Sequence, residues 1–213
     1  MTEKCPVVIT ISRLLGSGGS FLGQQLARRL GYRYADHEIL QLAAVELGND
    51  VEQLTERDET SAPFWEMAMS YFYAGAADTT YQPSPPMQFS TDREIYQAEN
   101  AIIARLAQEE NAIIVGHGGF FVLRNHPRHI SLFLHAPLPF RIQRIQSLYQ
   151  VTAQEAEEMI VRTDCDRERY VHALCGQQRT DLRNYHLTLD TSTLSLPEVE
   201  ELLFGYIQSR TRE

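Results

Sequence analysis

Gly16, Ser17, Gly18, Gly19 and Ser20 stand between a run of β-branched residues, Val7-Val8-Ile9-Thr10-Ile11, and a stretch whose apolar positions recur at helical spacing (Phe21/Leu22, Leu26/Ala27, Leu30). Residues of these types in this order can hold an anion. Glycines let successive backbone N–H groups surround a phosphate, and the N-terminus of the following helix adds its partial positive charge. Gly31 then ends the helix as a C-cap. The plainer alternative is a tight strand-to-helix turn with no ligand.

The spacing is close to that of a Walker phosphate loop, G-x-x-x-x-G-K-[ST], in which a lysine reaches the phosphates and a hydroxyl reaches Mg²⁺. With Ser20 in the hydroxyl position, as the protein ligand of the metal, Gly18 is the last glycine. Gly19 then stands where the lysine belongs, and Arg13 where the first glycine belongs. The single lysine of the chain, Lys4, sits at the far end of the strand. At about 3.3 Å per strand residue it lies more than a side chain's length away. Phosphate charge must therefore be met by arginine, and Arg13, at the entrance of the loop, is the candidate to replace the lysine.

Further candidates follow along the chain. Asp36 closes a short strand, Tyr32 to Ala35, at the end where open α/β sheets place ligands. It suits contact with an acceptor, and it suits capping of a helix over His37 to Leu47 equally well. Arg93, at the start of a helix read over Asp92 to Glu109, is a second acceptor-side candidate. Gly116-His117-Gly118-Gly119 follows the buried strand Ala112 to Val115; His117 suits either a phosphate contact or hydrogen-bonded packing. Arg141 and Arg144 are three apart, hence on one helix face, and with Asp164 they are candidate lid-side phosphate contacts. The cluster Arg162 to Tyr170 carries Asp164, Arg167 and Arg169, which suits either closure over a polyphosphate or a salt-bridged exposed helix.

The elements that must position these groups alternate strand and helix. Val7 to Ile11, Ala112 to Val115, Ile130 to Leu134 and Tyr185 to Asp190 read as strands, and Leu196 to Gln208 as the closing helix. Such alternation implies an α/β fold, a parallel sheet covered by helices on both faces. With a phosphate loop after the first strand, the layout is that of a P-loop kinase over the whole length, 213 residues. Two interruptions fall where small-molecule kinases carry mobile pieces: an acceptor-binding segment, about Glu52 to Thr91, and a lid, about Gln150 to Arg183. The first contains the aromatic run Phe64 to Tyr73, which suits core packing, a ligand cover or a subunit contact. A net charge of −9 argues against binding duplex nucleic acid or an anionic membrane. Three cysteines without C-x-x-C pairing, and the polar start MTEKCP, fit a cytoplasmic protein.

The sequence resembles the cytidylate kinase-like family of P-loop proteins. The residues that carry the resemblance are Ile11-Ser12-Arg13, Gly16-Ser17-Gly18-Gly19, Leu30-Gly31, Ala35-Asp36-His37-Glu38-Ile39 and Ile113-Ile114-Val115-Gly116. Further on are His135-Ala136-Pro137-Leu138 with Arg141 and Ile145, then Asp164, Arg167 and Tyr170, then Asn184-Tyr185, Leu187 and Thr191-Ser192. The resemblance implies a nucleoside-monophosphate-kinase fold and ATP-dependent phosphorylation of CMP or a related acceptor. It places donor phosphates at Gly16 to Ser20, the acceptor at Asp36 and the 52–91 segment, and lid-side phosphate contacts at Arg141, Arg167 and Arg169. The chain departs from the family's kinases at Gly19, at His117-Gly118, where those have Arg-Asp, and at Arg179, where a tryptophan is usual.

Two functions compete on this reading. One is an active kinase using ATP and Mg²⁺, with Arg13, Arg167 and Arg169 catalytic. The other is a nucleotide-binding sensor or scaffold that kept the fold and lost turnover, with the aromatic segment as a partner surface. The retained arginines favour the first; the missing lysine and aspartate favour the second. Self-association is open on either.

Overall fold

The computed structural model describes residues 5–36 and 92–212, the side chains of 92–95 excepted. The helix expected over 37–47, the 52–91 segment with its aromatic run, and the side chain of Arg93 lie outside the described residues.

Five strands, β1 (Val8–Arg13), β2 (Arg33–Ala35), β3 (Ala112–Val115), β4 (His129–His135) and β5 (Leu187–Asp190), form one sheet in the order β2-β3-β1-β4-β5. Every pairing is parallel. The helices among the described residues are α1 (Gly19–Leu30), α2 (Asp92–Glu109), the single turn α3 (Gly119–Val122), α4 (Leu138–Tyr149), α5 (Ala153–Cys175) and α6 (Leu196–Thr211).

Alternation along β1 decides which helix covers which face. Ile9 and Ile11 pack with Leu22 and Leu26 of α1 and with Val199, Leu203 and Ile207 of α6. Val8, with Ala112 and Ile114, packs on the other face against Ile102, Ile103 and Leu106 of α2. Because side chains of a strand point alternately to opposite faces, a run of six buried residues serves both layers at once. Full burial of each such Ile or Leu contributes about 1.5–3 kcal/mol. The closing strand is shorter than expected: it begins at Leu187, and His186 leads into it by donating its N–H to the Ser131 carbonyl of β4.

Most of the lid region, with the cluster Arg162 to Tyr170 inside it, is a single helix. Residues 153–175 are one helix, opened by a complete capping box in which Thr152 and Glu155 satisfy each other's backbone N–H. Its apolar face, Ala156 and Ile160, docks on Leu15 and Ile145. The sheet thus brings β1, the point where strand order turns from one side to the other, beneath α4 and α5. That is where ligands bind in open parallel sheets.

Candidate active site

β1 runs buried to its last residue, Arg13, and the chain then turns through Leu14–Gly18 into α1. Gly16 and Gly18 have φ of 83° and 85°, in the left-handed region. A Cβ on Gly16 would fall 2.9 Å from Arg141 Cβ, so glycine is required there for space as well as for backbone conformation. Both donors of Ser17 are spent inside the turn: its N–H and its hydroxyl go to the Leu14 carbonyl, at 3.2 and 2.8 Å. Thr191 closes the turn from above by donating its hydroxyl to the Ser17 carbonyl, at 2.8 Å. Ser17, expected as a phosphate contact, therefore shapes the loop. The N-cap, Gly18, offers no side-chain acceptor, so the first-turn N–H groups of α1 remain for a ligand or solvent.

The Arg13 side chain leaves β1 beneath Gly19 and runs toward Asp36, with Nη2 3.5 Å from Oδ1 and both residues 4% exposed. Asp36 belongs to a buried polar chain. The Tyr34 hydroxyl lies 3.0 Å from Asp36 Oδ2 and 3.3 Å from the Ser20 carbonyl. Burial and the Asp36 charge push the Tyr34 phenol well above its usual range, so it acts as a donor here. His117 lies 4.0 Å from Asp36 through Nε2, and its Nδ1 is 3.0 Å from Glu99 Oε1. Glu99, wholly buried, accepts a further short hydrogen bond from the Tyr170 hydroxyl of α5. The chain Arg13–Asp36–His117–Glu99–Tyr170 so joins the end of β1, the end of β2, the β3–α3 turn, α2 and α5. His117 has φ 53°, a left-handed conformation unusual for a side-chain-bearing residue.

A second set of charges lies on the other side of the turn. Asp164 of α5 accepts the Leu15 N–H at 3.0 Å and Arg141 Nη1 at 2.6 Å. Arg167 and Arg179 approach the same carboxylate at 3.9 and 3.8 Å. Three guanidiniums thus converge on one carboxylate, and Glu168 adds a contact 3.9 Å from Arg179 Nε. These arginines also hold turn carbonyls: Arg141 that of Leu15, Arg167 and Arg179 that of Arg13, the last at 2.7 Å. Arg141 Nε is a buried donor with no acceptor among the described residues. Arg144 lies over the turn itself: a Cβ on Gly18 would be 3.1 Å from its Nη2. It has no hydrogen bond or ion pair among the described residues, and burial lowers its pKa.

The structure thus brings together Arg13, Gly16, Ser17, Gly18, Gly19, Ser20, Asp36, Arg141, Arg144, Asp164 and Arg167. It does not bring Arg169. That residue's side chain is 79% exposed and paired with Asp166, because two residues along a helix carry it to the face opposite Arg167. Sequence reasoning missed Glu99 and gave Arg179 only as a departure from the family. A signal for Glu99 was present: it shares an apolar stripe with Ile102, Ile103 and Leu106, where an ionisable group demands a partner.

The sequence model of the cytidylate kinase-like family matches residues 8–193. This chain belongs to that family. A cytidylate kinase of Pyrococcus furiosus is 28% identical over 198 residues, spanning 92% of this chain and 84% of its own. One from Methanopyrus kandleri is 25% identical over 206 residues, with 92% and 91% spanned. Among solved structures, a protein of Eubacterium ventriosum described as uncharacterized matches with a TM-score of 0.68 at 19% identity, covering 96% of this chain and 99% of that one. A gluconokinase from Sinorhizobium meliloti matches at 0.52 and 15%, with 97% and 94% covered. At such identities the structural neighbours speak for the fold, a P-loop kinase type.

What the family binds can be tested against the residues. A polyphosphate fits: among the described residues the uncapped helix N-terminus, the buried Nε of Arg141, and Arg144 lack acceptors of their own. Mg²⁺ fits only as an ion held largely by a bound nucleotide, since no group of three or more His, Cys, Asp or Glu among the described residues could hold a metal. Ser20 is half-buried in the first turn of α1, its hydroxyl unengaged by described residues. Asp36 shares the Tyr34 hydroxyl with the Ser20 carbonyl, so both stand at the same edge of the turn.

Proposed function

We propose that this chain transfers a phosphoryl group from ATP to a small acceptor, with a nucleoside monophosphate such as CMP the first candidate. The observation that carries the reading is Arg144, a half-buried guanidinium without a described partner, lying over the glycine of an uncapped helix N-terminus. A cation in that position is electrostatically incomplete until an anion arrives. The acceptor class comes from the relatives, which are cytidylate kinases.

On this reading the α1 N-terminus and Arg144 hold the donor phosphates. Arg141, Arg167 and Arg179 fix the turn through its carbonyls and so position the transferred group, whose movement is mostly a matter of positioning and charge neutralisation. Asp36, oriented by Tyr34 and Arg13, faces the acceptor. Mg²⁺, held by Ser20 and the nucleotide, would neutralise charge across the donor phosphates.

A nucleotide-binding sensor is the second reading, favoured by one observation: Arg13, the stand-in for the lysine, already spends part of its charge on Asp36. Calorimetric titration with ATP and Mg²⁺, then a transfer assay over nucleoside monophosphates and other small acceptors, separates the two. Binding with transfer to one acceptor is expected. Binding without transfer to any acceptor would establish the sensor, and no binding would remove both.

A further inference from the structure

A separate cleft of about 230 Å³ opens at the opposite end of β4 from the glycine turn. His129 pairs with Val8, whereas Leu134 pairs with Arg13, five residues on. At about 3.3 Å per residue the cleft is thus about 16 Å from the end of β1 that carries the turn. His129, Ser131 and His186 line it together with Arg124, Arg183 and Asn184, over the rings of Phe120 and Phe121. No Asp or Glu is among the lining residues.

The lining carries two arginines and two imidazoles and no carboxylate. His129 is 7% exposed, with Nε2 2.8 Å from Thr10 Oγ1. Burial, with His186 and His126 close by, holds its pKa down at about 4, so the ring is neutral at pH 7. His186 Nδ1 accepts the Ser131 N–H at 2.9 Å, which puts the ring proton on Nε2. Burial and Arg210 of α6 lower its pKa too. Arg124 lies flat over Phe121, 3.9 Å from the ring centroid, and spends Nη1 on the Phe121 carbonyl. Arg183 is forked onto Asp181, so Arg124 supplies the cation of the cleft, with the two imidazoles as neutral hydrogen-bonding groups beside it.

We propose that this cleft is a regulatory site for a small oxyanion of the phosphate class, inorganic phosphate or diphosphate, read by Arg124, His129 and His186. Its volume lies below the roughly 300–1,000 Å³ of pockets that take whole drug-sized ligands, which favours a small ion over a nucleotide. The cleft is coupled to the glycine turn by the segment that forms its wall. Tyr185, between Asn184 and His186, donates its hydroxyl to the Arg179 carbonyl at 2.7 Å. Arg179 in turn holds the Arg13 carbonyl. The ring of Phe133 lies between them, 5.0 Å from Tyr185 and 5.9 Å from the Arg179 guanidinium. An ion that draws His186 and Arg124 together therefore shifts the residue that fixes the turn.

Imidazole NMR of the full chain, titrated with inorganic diphosphate and separately with phosphate, tests this. Saturable movement of the His129 and His186 ring signals is expected, with the His129 pKa raised by about one unit or more. Arg124→Gln should weaken that response about tenfold or more, the loss of one hydrogen bond to a charged group, at unchanged Tm. Arg144→Gln, which touches only the turn, should leave it unaltered. Ring signals that stay fixed at millimolar ion, or that respond equally with Arg124→Gln, would overturn the proposal. So would loss of the response on Arg144→Gln, which would place the ion in the glycine turn.

Discussion

The Arg13 side chain occupies the space in which a side chain at position 19 would have to begin. A Cβ on Gly19 falls 2.6 Å from Arg13 Cβ and 2.9 Å from Arg13 Cγ, closer than real Cβ contacts come. The atoms in the way are the root of the arginine, not its mobile end. Arginine at 13 therefore leaves no room for a side chain at 19, lysine included. Gly19→Lys alone should lower Tm and abolish ATP binding. Arg13→Gly with Gly19→Lys should fold and bind ATP at least as well as the parent chain. A single Gly19→Lys variant with parental Tm and affinity would refute the steric exclusion.

Arg144 and Arg169 separate two kinds of arginine in the same region. Arg144 has no described partner to lose, so Arg144→Ala should leave Tm within a degree or two while weakening ATP binding about 10- to 100-fold, as loss of a charge-assisted contact does. Arg169 is exposed on the far side of α5, and Arg169→Ala should change neither Tm nor affinity. Calorimetry on the two variants side by side checks this; equal effects would contradict the placement.

Much of this arrangement was legible in the sequence because it is periodic or local. The six-residue buried run of β1, the apolar spacing of α1 and α2, and the capping box at Thr152 each follow from residues a few positions apart. The glycine turn was legible for the same reason. What the sequence withheld depends on contacts across long separations. Arg167 and Arg169 are equivalent as letters, and only docking of α5 on Leu15 and Ile145 turns one inward. Ser17 resembles a phosphate ligand until its hydroxyl is seen bound to Leu14. Glu99, the centre of the buried chain, gains its meaning from His117 and Tyr170, 18 and 71 residues away.

Tyr170 and Glu99 tie α5 to α2 through one buried hydrogen bond to a carboxylate. Removing the donor leaves that acceptor less satisfied where water does not reach it. Tyr170→Phe should cost about 1–3 kcal/mol of stability. In a double-mutant cycle with Glu99→Gln, the two losses should fall short of additive by about 0.5–3 kcal/mol, since the residues share the bond. Denaturant unfolding of the four chains measures it, and additive losses would show that the contact carries no coupling.

His129 makes stability depend on pH between about 6.5 and 4. Its pKa falls from 6.5 to about 4 on folding, chiefly through burial. The folded chain therefore holds the ring neutral, while the unfolded chain takes up a proton as pH drops below about 6.5. Stability from this residue is full above that pH and is lost progressively toward pH 4, by about 3 kcal/mol at the lower end. Asp190 and Glu198, whose pKa values fall through hydrogen bonds to Ser192 and Ser195, also lose stabilisation in acid. They do so equally in a variant, so a difference reports the histidine together with its coupling to His186, whose pKa burial also lowers. His129→Gln, which keeps a hydrogen-bonding group toward Thr10 but does not titrate, should be less stable than the parent at pH 7. That deficit should shrink or reverse as pH falls to 4. Urea unfolding across the range measures the gap, and parallel curves for the two chains would mean that His129 already carries its proton in the fold.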